Sequence, residues 1–145
     1  MRLVIDWATL ESTRHGTISA GIWLENETAG FPEPQWSDTV VAITRAFVEA
    51  TDRLTAAGSE PTQRVYFLDG PFSVTLTRTG DRKLLLRGFR REQDFGWEGS
   101  AELAVWTEQL RAAGRQLIDE CAAKGWRDAD VEALEARLGS GGPAR

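Results

Sequence analysis

The sequence has very few of the residues that most often carry chemistry. It contains one cysteine, one histidine and one tyrosine, and only two of its 17 basic residues are lysines. A single cysteine excludes an intramolecular disulfide framework and a four-cysteine zinc site. Catalysis of the Ser-His-Asp or Cys-His kind would have to use His15, and the polar residues around His15 predict a solvated turn.

Long apolar runs are also missing from the sequence. No stretch is long enough to span a membrane, and no apolar N-terminal segment indicates a secretory signal. With the lone cysteine, these features predict a cytoplasmic protein with no membrane partner. The net charge of -5 argues against nucleic acid as the main partner and is compatible with a basic protein partner.

The size and composition predict a single globular domain. The chain has 145 residues, of which 41% are hydrophobic and 27% are charged. This is enough to bury a core without disulfides or metals. We expect one domain over residues 1–138, followed by a flexible tail over residues 139–145.

The stretch from Arg64 to Arg91 predicts three short strands joined by tight turns. Its first turn is Asp69-Gly70, a dipeptide that readily takes the positive φ angles of a type I′ hairpin. Pro71 has no N–H to close the turn, so we expect an open turn or a bulge after Gly70. This register pairs apolar residues on one face, namely Phe67 with Phe72 and Val65 with Val74.

The second turn of this stretch lies between Thr79 and Arg82 and allows two registers. A three-residue loop places Leu84 and Leu86 across from Leu76, on the same face as Val74. A two-residue loop would instead bring an arginine into that apolar face. The burial pattern therefore favours the three-residue loop.

The rest of the chain predicts further strands and three helices. Apolar alternation predicts strands at 2–8, 17–25 and 97–105, although the last stretch also fits an early helix start. Residues 26–36, with two prolines and a glycine, predict a long irregular loop, and residues 90–96 a polar connection. Helical spacing and capping residues predict helices with these bounds: Ser37 or Asp38 to Gly58, Thr107 to Gly125, and Asp128 to Leu138.

This order of elements predicts an α+β fold. Strands joined by tight turns are antiparallel neighbours, and an apolar helix stripe needs a sheet face to cover. We expect a mostly antiparallel sheet of five to six strands, with two long helices and a short C-terminal helix packed on one face. The core should bury Phe72, Val74 and Leu76 against Phe47 and Leu117.

One face of such a sheet is left without helices, and it is the predicted binding surface. Tryptophan, tyrosine and arginine are the residues that most often dominate protein interfaces. An ordinary solvated face is the alternative interpretation of the same pattern. The predicted partner-binding residues come from this face and from the 26–36 loop: Trp23, Phe31, Trp36, Tyr66, Arg87 and Phe89.

The sequence offers no motif for catalysis, metal binding or cofactor binding. Cys121 falls on the apolar stripe of a helix, which predicts a small packing residue rather than a nucleophile. The carboxylates are scattered, and no calcium-loop, zinc-helix or glycine-rich phosphate pattern occurs. If a pocket lies between sheet and helices, Asp69 and Asp6 are its candidate polar groups. We predict no catalytic residue, no metal and no cofactor.

Three features together resemble a group of small bacterial proteins. They are the Phe-x-Asp-Gly-Pro-Phe hairpin from Phe67 to Phe72, a later helix, and a closing Gly125-Trp126 followed by Asp128 and Asp130. In this respect the last two-thirds of the chain resembles proteins grouped with the immunity proteins of polymorphic toxin systems. The resemblance implies a small, cytoplasmic, non-catalytic protein that occludes a toxin, and it assigns no functional residue.

Three functional hypotheses follow from the sequence. The first is a non-enzymatic cytoplasmic binding protein, with an immunity protein as its specific form and a toxin domain as its partner. The second is a small-molecule-binding domain or enzyme with a pocket between sheet and helices. The third is a structural subunit that forms a homodimer through the sheet face. A deep polar pocket would favour the second, and a flat aromatic face the first or third.

Overall fold

The computed structural model describes residues 1–13, 15–56 and 61–140. Antiparallel strands and three helices make up this part of the chain, which confirms the α+β class. The expected single sheet of five to six strands is wrong, because the strands form two separate four-stranded sheets. The expected tail falls partly in the last helix, and residues 141–145 lie outside the described residues.

The first sheet is built around β2. Its strands are β1 (Arg2–Ser12), β2 (Ile18–Glu25), β3 (Gly30–Phe31) and β4 (Ser37–Asp38). β1 pairs along one side of β2, and the two-residue strands β3 and β4 pair along the other. The prediction of a wholly irregular 26–36 loop is therefore wrong, since the loop turns back at once to form β3. The Asn26 side chain closes that turn by accepting the N–H groups of Thr28 and Ala29.

The second sheet is a meander of four consecutive strands. These are β5 (Thr62–Tyr66), β6 (Phe72–Thr79), β7 (Lys83–Arg90) and β8 (Gln93–Glu102), in that order across the sheet. The polar connection predicted at 90–96 is wrong, because β7 and β8 are joined through residues 91 and 92 alone. Val65 pairs with Val74, as predicted.

The second turn of the meander has the predicted three-residue loop. Thr79 pairs with Lys83 and Leu76 with Leu86, so residues 80–82 form the loop. Gly80 has a φ of +79°, a backbone conformation that glycine adopts without strain.

The first turn is open, as the missing N–H of Pro71 predicts, but it lacks the type I′ geometry. Phe67 donates its N–H to the Phe72 carbonyl, but residues 68–71 form an open loop and Gly70 does not have a positive φ. The predicted type I′ turn is therefore wrong. Glycine is required there for another reason, since a Cβ on Gly70 would come within 2.7 Å of Cη2 of Trp36.

The three helices are α1 (Val40–Thr55), α2 (Leu103–Ala123) and α3 (Ala129–Ser140). The N-cap of α1 is Thr39 rather than Ser37 or Asp38, and its predicted end at Gly58 lies outside the described residues. α2 begins one turn before the predicted cap at Thr107, because β8 runs directly into it. None of the helices in the described ranges has the length and apolar character needed to cross a bilayer.

The core lies between the helices and the inner faces of both sheets. α1 packs against β2, β5 and β6 and so joins the two sheets, while α2 contacts β1 and β8. Trp106 is fully buried, stands edge-on to Phe47, and donates its indole N–H to Thr51 over 3.0 Å. The residues predicted for the core are buried with one exception: Val74, Leu76, Phe47 and Leu117 are buried, and Phe72 is only half-buried.

Candidate functional site

The outer face of the second sheet points away from the buried core residues Val65, Val74 and Leu76. We call it the open face. Strand pairing places its residues in rows that run across the four strands. One row is Tyr66, Ser73, Phe89 and Asp94; the next is Arg64, Thr75, Arg87 and Glu98; the rows beyond contain Thr62, Thr77, Leu85 and Ser100, and then Thr79, Lys83 and Glu102.

The open face brings together three of the six predicted partner-binding residues. Tyr66 is 57% exposed, and the Arg87 side chain is 51% exposed. Phe89 is half-buried between them. The sequence placed these three residues on one face correctly, because the two-residue period of a strand fixes the side to which each side chain points.

An arginine that the sequence analysis did not select completes this cluster. The Arg64 guanidinium lies 4.7 Å from the centre of the Phe89 ring and donates a 2.7 Å hydrogen bond to the Ser73 hydroxyl. Stacking on a ring and bonding to a hydroxyl hold the guanidinium in one place, which lowers the entropy lost when it binds a partner. The sequence could have indicated Arg64, because it lies two residues before Tyr66 on the same strand and its side chain therefore points to the same face.

Charge is unevenly distributed across the open face. The basic residues Arg64, Lys83 and Arg87 project from β5 and β7. The acidic residues Asp94, Glu98 and Glu102 all project from the edge strand β8. Arg87 and Glu98 meet at 3.3 Å where the two groups adjoin, and both side chains are about half-exposed. The β5 side of the face is therefore the basic side.

Trp23 does not belong to an exposed surface, so its predicted placement is wrong. It lies on the outer side of the first sheet, as its parity required, but only 5% of it is exposed. The chain covers it locally: a Cβ on Gly30 would lie 3.0 Å from its Cδ1, and one on Gly21 would lie 3.3 Å from its Cζ3. Its indole N–H is buried without a hydrogen-bond partner. Trp23 is a packing residue.

Phe31 was also predicted on the surface and is instead fully buried. Its ring lies against the backbone of Gly88 in β7 and stacks on Trp97 with a centroid distance of 5.6 Å. The indole N–H of Trp97 donates to the carbonyl of Ala29. Phe31 therefore joins the first sheet to the second and has no surface to offer a partner.

Trp36 is half-buried and belongs to an aromatic rim at one end of the second sheet. It meets Phe72 edge-on at 5.2 Å, and Phe72 meets Phe95 in the same way at 5.8 Å. Phe95 is 47% exposed. This rim is on the inner side of the sheet, so Trp36 does not share the open face with Tyr66 and Arg87.

Asp38 organises the loop that separates the rim from the open face. Its carboxylate is fully buried and accepts N–H groups from the Trp36 indole and from the backbones of Thr39, Leu68 and Asp69, over 2.7–3.1 Å. Four donors satisfy the buried charge. Desolvation and the neighbouring Asp38 carboxylate raise the pKa of Asp69. The sequence suggested only a local helix cap for Asp38, because the loop it binds is 30 residues away.

The residues considered for chemistry are dispersed. His15 is exposed, whereas Cys121 is buried in α2, and burial raises the pKa of its thiol. The Asp6 carboxylate accepts the N–H of Ala8 within a strand bulge. In the part of the chain that the structure describes, no three His, Cys, Asp or Glu side chains are grouped to hold a metal ion.

A groove of about 780 Å³ lies at the start of α2 and borders one end of the open face at Glu102. It is bounded by the end of α1, the β6–β7 turn and the exposed side of α2. Arg111 at its base is buried and pairs with Asp52 at 3.0 Å. Neither of the polar groups proposed for a pocket, Asp69 and Asp6, lines this groove.

Comparison of the chain with family models, curated proteins and solved structures finds no match. The open face therefore has to be interpreted from its own geometry and charge.

Proposed function

We propose that this chain is a protein-binding domain whose partner docks on the open face of the second sheet. The observation that carries the proposal is the cluster of Tyr66, Arg64, Arg87 and Phe89 on one accessible sheet surface. Tyrosine and arginine are the side chains most often dominant at interfaces, and here they project from a rigid sheet rather than from a loop.

The charge pattern supports a specific orientation for the partner. A basic half formed by β5 and β7 next to an acidic β8 favours a partner whose charges are arranged in the opposite order. Such complementarity speeds association and suppresses wrong orientations. Arg64 stacked on Phe89 is already fixed in place, so it adds affinity at a low entropic cost.

The resemblance described above supplies a class of partner. Under it, the partner is a bacterial toxin domain, and the protein acts as a cytoplasmic immunity protein by occluding that domain without catalysing a reaction. This part of the proposal has its own test: a toxin gene should lie next to this gene, its expression should arrest growth, and co-expressing this protein should restore growth. Growth arrest that persists with the protein present would contradict the immunity role while leaving protein binding open to the next test.

The binding test compares matched arginines on opposite layers. The partner is isolated from the source organism with the intact protein, then purified, and its dissociation constant is measured by calorimetry. Arg87→Ala or Tyr66→Ala should weaken binding by about 30-fold. Arg115→Ala is the control, since Arg115 is exposed on α2 in the helix layer. Equal weakening by Arg115→Ala, or no effect of the other two, would contradict the proposal.

A second candidate function rests on the groove at the start of α2. Its volume of about 780 Å³ falls within the range typical of small-molecule sites, roughly 300–1,000 Å³. A thermal-shift screen of small acids and amphipathic metabolites tests it. A ligand that raises the melting temperature of the wild type, but not of an Ala104→Trp variant that fills the groove, would favour this function over protein binding.

A further inference from the structure

The edge strands differ in whether other parts of the chain cover their outward backbone groups, and one edge is left uncovered. On β8, the Asn26 amide donates to the Glu98 carbonyl over 2.8 Å, and the Met1 side chain packs against Gly99. On β1, the Gln109 side chain accepts the N–H of Leu3 over 2.7 Å. Unprotected edges invite pairing with other chains, so proteins usually cover them in such ways.

β5 forms the other edge of the second sheet. Phe67 donates to the Phe72 carbonyl, and the Arg78 N–H donates to the Pro61 carbonyl, so the odd-numbered residues of this segment bond to β6. In an antiparallel pair the bonding residues alternate, which points the backbone groups of Thr62, Arg64 and Tyr66 away from β6. Among the described residues, no hydrogen bond ends on those outward backbone groups.

We infer that the β5 edge binds an extended segment of a partner protein by strand addition, with an acidic side chain of that segment opposite Arg64. The inference rests on the proposed role in protein binding and names the chemistry of the segment. The three outward residues supply three N–H donors and three carbonyl acceptors in a row. Main-chain bonds of this kind give affinity, and the alternating side chains give specificity.

The positive charge of Arg64 is the reason to expect an acidic residue in the partner segment. The backbone of Arg64 lies at the centre of the free edge, whereas its guanidinium is turned inward, onto the Ser73 hydroxyl and the Phe89 ring. Among the described residues this guanidinium contacts no carboxylate. The acidic side chains of the open face stand three strands away on β8. A cross-strand carboxylate would therefore compete for this guanidinium with a hydroxyl and an aromatic ring rather than with an ion pair. The next outward position of the segment would meet Tyr66, which favours an apolar side chain there.

A second copy of this chain fits the same edge poorly. The two-fold register that uses all three outward residues sets Arg64 opposite the Arg64 of the other copy, and like charges directly opposite are destabilising. Shifting the register by two residues toward Tyr66 leaves only Arg64 and Tyr66 of each copy paired, because the Leu68 N–H that would extend the pairing already donates to Asp38. Shifting it the other way leaves only Thr62 and Arg64 of each described strand paired. Arg64 therefore disfavours pairing between the β5 edges of two copies and favours pairing with an acidic segment.

The test uses ¹⁵N-labelled protein and a capped pentapeptide, Leu-Thr-Glu-Thr-Leu, whose glutamate lies opposite Arg64 and bonds to it when the peptide pairs antiparallel to β5. Titration should shift the amide resonances of Thr62, Arg64 and Tyr66 and slow their hydrogen exchange. The same peptide with lysine at its centre should bind about fivefold more weakly. Methylating the nitrogen of the central residue keeps every side chain but removes the bonding N–H, and it should abolish the shifts.

Two protein variants complete the test. Arg64→Glu should reverse the preference between the two peptides, and its spectrum reports directly whether the fold is retained. Thr62→Pro removes an outward N–H without breaking the ladder to β6, and it should also weaken binding. Arg115→Ala should leave peptide binding unchanged, because Arg115 is exposed on α2 in the helix layer, away from the β5 edge.

The outcomes separate the edge from the open face. Edge amides that stay unshifted at millimolar peptide, or a methylated peptide that binds equally well, would overturn strand addition. If the natural partner then still lost affinity with Arg87→Ala, the proposed function would stand without the edge. A partner indifferent to Arg87 and to the β5 variants would overturn both.

Discussion

The two sheets of this protein each have four strands, but the outer face of the first is covered and the outer face of the second is exposed. In the first sheet, the outward tryptophan, Trp23, is covered by the chain's own β2–β4 segment and is 5% exposed. In the second, the outward tyrosine, Tyr66, is 57% exposed. Both are large aromatic residues on strand positions that point away from the helices. What differs is the connection: long and folded back in the first sheet, tight in the second.

This difference shows that strand parity does not determine exposure. In a hairpin with a three-residue turn, no residues are left to fold back across the sheet, so its outer face stays exposed. The connection between β2 and α1 has fourteen residues and returns across β2 twice, as β3 and β4. A residue's side of the sheet follows from its strand, whereas its burial follows from where the loops go.

The strongest test of the comparison is the same substitution on both faces. Trp23→Ala should lower the free energy of unfolding by about 3–5 kcal/mol, because it empties a buried site. Tyr66→Ala should change it by about 0.5 kcal/mol or less. Urea denaturation monitored by circular dichroism measures both. Similar losses for the two variants would contradict the assignment of a closed face and an open face.

The next effect in size concerns the contact that fixes the loop beside the open face. Asp38→Ala removes an acceptor shared by four buried or half-buried N–H donors, and should cost about 3 kcal/mol. Asp38→Asn is the matched control, since it keeps the shape and one acceptor oxygen, and it should cost less. An alanine variant as stable as the wild type would show that the carboxylate does not hold the loop.

Replacing either of the two glycines in the turns of the second sheet should destabilise the protein, but for different reasons. Gly70→Ala should cost about 1–3 kcal/mol, because the new methyl would overlap the Trp36 ring. Gly80→Ala should cost about 1 kcal/mol, because of its φ of +79° alone. Trp36→Leu should make Gly70→Ala less harmful without changing the cost of Gly80→Ala. Additive costs in both double variants would contradict the steric account of Gly70.

The smallest predicted effect depends on pH. The folded protein raises the pKa of Asp69, so the native state holds this proton more tightly than the unfolded chain does. The charged form therefore destabilises the fold once the pH exceeds the unfolded value. Asp69→Asn should raise stability at pH 7 by no more than about 0.5 kcal/mol, since the group is solvent-exposed. The gain should vanish as the pH falls below 4, and a gain that persists at pH 3 would contradict the sign.

Local features of the fold could be predicted from the sequence. The register of the β6–β7 hairpin followed from the apolar face of Leu76 and Leu86, because residues in a tight hairpin meet neighbours close in sequence. The α1 stripe and the buried position of Cys121 followed from helical spacing in the same way. The shared side of Tyr66, Arg87 and Phe89 depended only on strand period and hairpin register.

Long-range features could not be predicted, and they account for the errors. β3 and β4 have two residues each, too few for any alternation to be visible. Asp38 looked like a helix cap, but its carboxylate binds a loop that reaches it only in the folded chain. α2 starts at Leu103 without a side-chain cap, so no capping residue marked its first turn. Trp23 was misplaced because the segment that returns through Gly30 covers it, and Phe31 because β7 and β8 of the second sheet pack against it.

Hydroxyl-radical footprinting of the free protein and of its complex tests the central claim most directly. The account predicts that Tyr66 is oxidised rapidly in the free protein and protected once the partner binds, while Trp23 reacts slowly in both states. Trp23 oxidised as fast as Tyr66 in the free protein would contradict the closed first sheet. Tyr66 oxidised as fast in the complex as in the free protein would contradict binding at the open face.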